Sequence, residues 1–370
     1  MTDTDFHNLF IKYCPIIYFH KNDPYFQSDF DDILNISKIT KTISNKIYDG
    51  IELKKPEVFN DVNNNTLIII DNKQKNIPEE KIGKQILCRT SGIWTVETSN
   101  NNQQYYTQYL DLVYTVTFTW NGTLEPHAFD KEEIFIRLIR NSDREMNGLP
   151  INTWIPYRVF GSAHGYGKWY NFNDLDKEQN RCVMYSALES HAMYSDILVH
   201  KRIMGFGNDV TRKDVRWDPS QFVVFNTNMD KVTIYNKNGT KLLDGNDTKY
   251  FLYNGTIGDE KNNQLWPGSI YLTNSYDANN LDGWFKFGGG LTDLFDGKNP
   301  EVKPHIRYII RIITVLILAS LFGFILYNVA TTHKYNNKKI ILYGLLYVFL
   351  FILMYISSVY TGLELFVLNN

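Results

Sequence analysis

His127-Ala128-Phe129-Asp130-Lys131-Glu132-Glu133-Ile134-Phe135-Ile136-Arg137-Leu138 reads as a β-strand with two acids on its apolar face. Side chains alternate across a strand with period two, so Asp130 and Glu132 share a face with Ile134, Ile136 and Leu138. That apolar set belongs in a core. Two carboxylates at its inner end carry a large desolvation cost unless something positive meets them. A bound metal ion is one solution, and His127 stands three residues before Asp130 to help hold it. Pairing of the acids with Arg137 or Arg158 is the other.

Outward from this strand the pattern stays β. Leu112–Trp120 is β-branched and aromatic throughout, and Trp154–Ser162 and Arg181–Ser186 follow the same rule. Further strands are expected at Tyr13–His20, Leu67–Ile70, Phe222–Phe225, Val232–Tyr235, Lys249–Tyr253 and Trp284–Phe287. Aromatic residues make up 15% of the chain, with 25 Tyr and 23 Phe, a bias that favours strands. Short strands divided by turn residues predict a mainly β fold, an antiparallel β-sandwich over residues 1–305. Residues 54–104, bracketed by Asn63–Asn65 and Asn100–Asn102, read as a peripheral insertion. Ala187–Val199 reads as a loop or short helix.

The C-terminus has another character. Residues 312–330 and 340–360 contain no charge and are dominated by Ile, Leu, Val and Phe. Each run can span a hydrocarbon core of about 30 Å at 1.5 Å per residue. The expected layout is a transmembrane helix over 306–330, a polar connector over 331–339 and a second transmembrane helix over 340–361. Lys303, Arg307 and Arg311 lie before the first span and Lys334, Lys338 and Lys339 between the two, so charge bias sets no orientation. The N-terminus has no basic or apolar leader pattern, which places the large domain on the cytosolic side of a multi-pass membrane protein. Sequons at Asn35, Asn64, Asn121, Asn238, Asn246 and Asn254 arise easily in an Asn-rich chain and do not argue for a luminal domain.

Charge excludes one class of partner. Lys plus Arg is 38 and Asp plus Glu is 40, without the basic footprint of a nucleic-acid binder. Cys14, Cys88 and Cys182 show no C-x-x-C spacing and suggest neither a zinc cluster nor a disulfide framework. The candidate metal set is Asn121, His127, Asp130 and Glu132, with Asn121 ending the preceding strand. Oxygen ligands with one imidazole suit Ca²⁺, Mg²⁺ or Mn²⁺. His164, in Ser162-Ala163-His164-Gly165, and His191, in Glu189-Ser190-His191, are candidate acid/base residues. Glu189, Ser190 and His191 are adjacent, whereas catalytic groups must converge from separate elements.

Five of these pieces, in order, resemble the vacuolar protein-sorting 62 family: Tyr13-Cys-Pro-Ile-Ile-Tyr-Phe-His20; Tyr114–Gly122 ending in Asn-Gly; His127-x-x-Asp130-x-Glu132; Ser162-Ala-His164-Gly165; and Tyr185–Tyr194 with its Ser190-His191-Ala core. The third is also similar to the His-Asp-Glu motif of necrosis- and ethylene-inducing-like proteins. That likeness implies a divalent cation held by His127, Asp130, Glu132 and Asn121. The chain departs from the motif in having Lys131 for a Trp, Glu133 for a His and Asn121 for an Asp. With the two C-terminal spans, the leading expectation is a membrane-anchored, non-enzymatic protein of trafficking or lipid interaction, with a lipid membrane, lipid headgroups or a membrane protein as partner. A metal-dependent hydrolase using His164 or His191 is the alternative, and a membrane-active toxin-like protein a third.

Overall fold

The computed structural model describes residues 3–35, 82–100, 103–122, 126–141, 153–163, 166–200, 209–253 and 255–258, short pieces between 42 and 69, residues 263–265, and residues 323 and 327. The chain divides into two units, Met1–Ile197 with Thr211–Lys286, and Leu198–Val210 with Phe287–Asn370. In the second, Val199–His200 pairs antiparallel with Asp209–Val210. Everything below concerns the first.

Two sheets dominate that unit. The larger has eight strands, in the spatial order Lys241–Asp244, Val232–Asn236, Gln221–Phe225, Gln85–Asn100, Gln103–Asn121, His127–Asn141, Ile155–Ala163 and Tyr166–Asn171. The smaller runs Lys177–Glu178, Arg181–Ser186, Ile16–Phe19 and Val215–Trp217, with Met193–Tyr194 attached to Arg181–Ser186. Alternation brings them face to face. Ile17, Phe19, Cys182, Met184 and Trp217 of the small sheet share one apolar cluster with Ile86, Cys88, Leu110, Leu112, Tyr114, Ile134, Ile136 and Leu138 of the large one. The intervening Ile16, Tyr18, Val183 and Tyr185 form their own cluster on the small sheet's other face. Helix Asp3–Tyr13 closes this core with Phe6, Phe10 and Tyr13, and its Phe10 carbonyl accepts a 3.0 Å bond from the buried Tyr114 hydroxyl. The three cysteines are free and buried.

The mainly β sandwich expected from the sequence is therefore present, with three corrections. The sheets are mixed rather than antiparallel: Ile16–Phe19 runs parallel to Arg181–Ser186, and Gln221–Phe225 parallel to the start of Gln85–Asn100. Each parallel pair joins segments far apart in sequence, as parallel pairing requires a long crossover. Second, residues 85–100 are not peripheral but supply a long strand in the middle of the large sheet. Ile86 and Cys88 enter the sandwich core while Leu87 enters a second apolar cluster on the opposite face, so both faces are used. Third, Lys249–Tyr253 is not a strand, since Gly245–Leu252 coils as a 3-10 helix. Tyr250 and Phe251 are consecutive and both buried in the second cluster, which alternation would have placed on opposite faces.

Residues 306–361, the expected hairpin, lie outside the described residues apart from 323 and 327. Among the described residues no helix is long and apolar enough to cross a membrane. The expected strand Trp284–Phe287 also lies outside them.

The face of the large sheet turned away from the sandwich holds a buried ion pair. Arg137 reaches Asp111 directly across the strand pair with both Nε and Nη2, at 2.8 and 2.9 Å. Removing one partner of such a pair strands the other charge, while replacing both is tolerated. Arg137→Met is expected to cost about 3–5 kcal/mol, and Asp111→Leu with Arg137→Met to recover most of it. Urea denaturation of the three proteins checks this; a single-variant loss below about 1 kcal/mol contradicts it.

Candidate functional site

The two acids of the opening strand lie where alternation puts them. Asp130 faces Phe118 across the strand pair and Glu132 faces Val116. Both are buried, at 3% and 7% exposure. The counter-charge of Asp130 is His191, which comes from the small-sheet side of the molecule. It sits in a tight turn closed by bonds from the Ala187 amide to the Ala192 carbonyl and from the His191 amide to the Ala187 carbonyl. Glu189 and His191 both take positive φ there, 60° and 57°, an arrangement that costs non-glycine residues and survives where surroundings over-determine it. The turn presses the His191 ring flat onto Phe118, with centroids 3.7 Å apart and planes within 4°.

His191 thereby lies between two carboxylates. Its Nδ1 is 3.0 Å from Asp130 Oδ2 and its Nε2 is 3.8 Å from Asp23 Oδ1. Asp23 is itself buried and held by the amides of Tyr25 and Glu189, at 2.9 and 3.1 Å. Burial alone would lower the imidazole's affinity for a proton. The hydrogen bond to Asp130 and the negative charges of Asp130 and Asp23 outweigh it and raise His191 to about 9. Burial would likewise raise Asp130, but the imidazoles of His127 and His191 hold it far below the usual carboxylate range. Phe129, next to Asp130, takes φ 60°, so the backbone beside the cluster carries strain.

The other expected ligands fall around Asp130 unevenly. Asn121 donates from Nδ2 to Asp130 Oδ2 at 3.1 Å, and His127 Nε2 stands 3.8 Å from Oδ1. Glu132 is turned elsewhere: it accepts a short bond from the Ser162 hydroxyl, which in turn accepts from the Glu133 amide at 2.7 Å. Lys131 points to the opposite face, near Glu133 and Arg89. Burial pushes its ammonium down to about 8, and Arg89 adds repulsion against the pull of Glu133. The alternative pairing of the two acids with Arg137 does not occur, because Arg137 is committed to Asp111.

The set thus fits a divalent ion only in part. Three of its members converge, one does not, and the positive charge Asp130 needs is already supplied by His191. Among the described residues no group of three or more His, Cys, Asp or Glu is arranged to hold a metal ion. His191 is fully buried. His164 lies outside the described residues. The sequence offers His191 as an acid/base candidate and assigns no role to Asp23. Two signals stood in view, the Asn22-Asp23-Pro24 turn and the His after Ser190, but nothing local joins positions 168 residues apart.

The class so defined is a two-sheet β-sandwich whose end is sealed by an acid–imidazole–acid network. The chain belongs to the vacuolar protein sorting-associated protein 62 family, whose model matches residues 2–237. Two solved structures are similar to it: necrosis and ethylene inducing protein 2 from the causal agent of cocoa's witches' broom disease, at 15% identity, and NLPPya in complex with mannosamine, at 12% identity. Each has a TM-score of 0.26, with 51% of this chain and 67% of the other covered. No curated protein matches the sequence.

The network sets a pH dependence. His191 is raised from 6.5 to about 9, so its contribution to stability is complete below pH 6.5 and is lost as pH rises through about 9. Asp130 is depressed below 3.8, so its contribution is present above that pH and is lost under strong acid. The melting temperature of the full chain should fall between pH 6.5 and 9, and His191→Leu should remove that slope. At pH 6.5 the same variant should cost about 3–5 kcal/mol, because two buried carboxylates lose their cation. An unchanged slope in the variant would show that His191 is not the group responsible.

Proposed function

We propose that this is a non-enzymatic, membrane-associated β-sandwich protein of membrane trafficking or lipid interaction, anchored by a hairpin over residues 306–361. The observation that carries the reading is the pairing of a sorting-family domain over residues 2–237 with two uncharged apolar runs at 312–330 and 340–360. Each run is long enough for a bilayer at about 1.5 Å per residue. The sealed His191 supports binding over catalysis, since it leaves the most perturbed acid and base of the fold out of reach. The domain would stand on the cytosolic side, against lipid headgroups or a membrane protein. Carbonate extraction of membranes from cells expressing the full chain tests the anchor. Retention in the pellet, lost on deletion of 306–370, is expected; release of the full chain into the supernatant would falsify it.

A divalent cation at the sandwich end is a second reading, favoured by the placement of Asn121 and His127 on the two oxygens of Asp130. Asn121, His127 and Asp130 would hold Ca²⁺, Mg²⁺ or Mn²⁺, with Glu132 joining on release from Ser162, and the ion would brace the fold. A ligand that binds only the folded state raises its melting temperature. Saturating ion should therefore raise the melting temperature of the full chain, and Asp130→Asn should abolish the rise. No shift with any of the three ions ends this reading.

A further inference from the structure

Alternation divides the charges of the central strands between two faces. Asp130 and Glu132 enter the sandwich, while Lys131, Glu133 and Arg137 go to the other side of the same strand. Arg89 and Asp111 of the two preceding strands join them there. Arg137 and Asp111 cancel. Arg89 Nη2 meets Glu133 at 2.6 Å. That leaves Lys131 with no ion pair among the described residues.

Two buried polar atoms in the same patch also lack hydrogen-bond partners among the described residues. Arg89 is 3% exposed, and its Nε has no hydrogen-bond acceptor. Thr115 is 1% exposed, lies directly across the strand pair from Glu133, and its Oγ1 makes no hydrogen bond. A buried guanidinium N–H and a buried hydroxyl left unpaired each carry a desolvation cost, and native folds seldom leave them so. Lys131 is directly across from Thr117, one inward-facing position from Thr115, and is half-buried, which opens the patch to solvent on its side.

We propose that Arg89, Thr115 and Lys131 form a binding site for a phosphate-class oxyanion on this face, with Glu133 fixing the Arg89 guanidinium. The ligand offers several acceptor oxygens to three donors. Its negative charge is met by Lys131 and the shared Arg89 through charge-assisted hydrogen bonds. Neither the Asp130 cluster nor the membrane anchor is needed for this site, so it stands or falls apart from the function proposed above.

The test is titration calorimetry of the full chain in detergent with inorganic phosphate, against chloride at equal ionic strength. Saturable phosphate binding is expected, weakened at least about tenfold by Lys131→Met and by the isosteric Thr115→Val, each losing one charged or hydroxyl contact. Absence of saturable heat, or equal affinity in the wild type and both variants, overturns the site, the latter revealing a general salt effect. Vesicles of phosphatidylcholine with and without phosphatidic acid then identify the source. Capture by phosphatidic acid that free phosphate competes away and Lys131→Met abolishes supports a phosphomonoester headgroup. Calorimetric binding without vesicle capture supports soluble phosphate at the same site.

Discussion

The bond between the His191 imidazole and the Asp130 carboxylate is the constraint on which this end of the molecule turns. It joins three pieces that nothing else in the local sequence connects: the turn at Asp23, the inner end of strand His127–Asn141, and the loop Ala187–Ala192. The chain tolerates two positive-φ residues in that loop to bring the ring onto Phe118. A carboxylate buried without a cation would cost far more than the strain. The ring stacking adds area burial and fixes the plane in which Nδ1 meets its acceptor. Electrostatics here chooses the loop conformation, rather than the loop offering a convenient ligand.

Much of the fold was legible because it rests on period-two patterning. Strands His127–Asn141, Gln103–Asn121, Arg181–Ser186 and Gln221–Phe225 announce themselves by β-branched and aromatic alternation, and Asp130 and Glu132 were correctly placed on the inner face. What the pattern could not convey was which neighbour each strand would take. Gln85–Asn100 was masked by polar flanks, and its two-sided burial blurs any amphipathic signal. The parallel partners are separated by well over a hundred residues and share no turn. Lys249–Tyr253 misled because aromatic content reads as strand until Tyr250 and Phe251 are seen to face one core.

The site was half legible for a related reason. Composition showed that two acids needed a positive partner, and Asn121, His127 and Asp130 do gather. The identity of the cation depended on a tertiary contact, and a histidine expected as an acid/base candidate supplies it. Glu132 was assigned with Asp130 because spacing treats the two alike. Ser162, from the neighbouring strand, separates them by offering a hydroxyl to one and not to the other. The same alternation that sends these acids inward sends Lys131 and Glu133 outward, so one strand polarises the two faces of the sheet.

The parallel placement of Ile16–Phe19 has a consequence for the order in which the molecule is made. That strand is synthesised before both of its neighbours, Arg181–Ser186 and Val215–Trp217. At about 5–20 residues per second, it waits roughly 10–40 seconds for the second of them. Non-local pairing of this kind slows folding, because chain closure is paid for before the contacts form. Until residue 186 emerges the first strand has both edges open, and until residue 217 one of them. A window of exposed strand edge is therefore written into the topology, and it closes only after residue 217 has been synthesised.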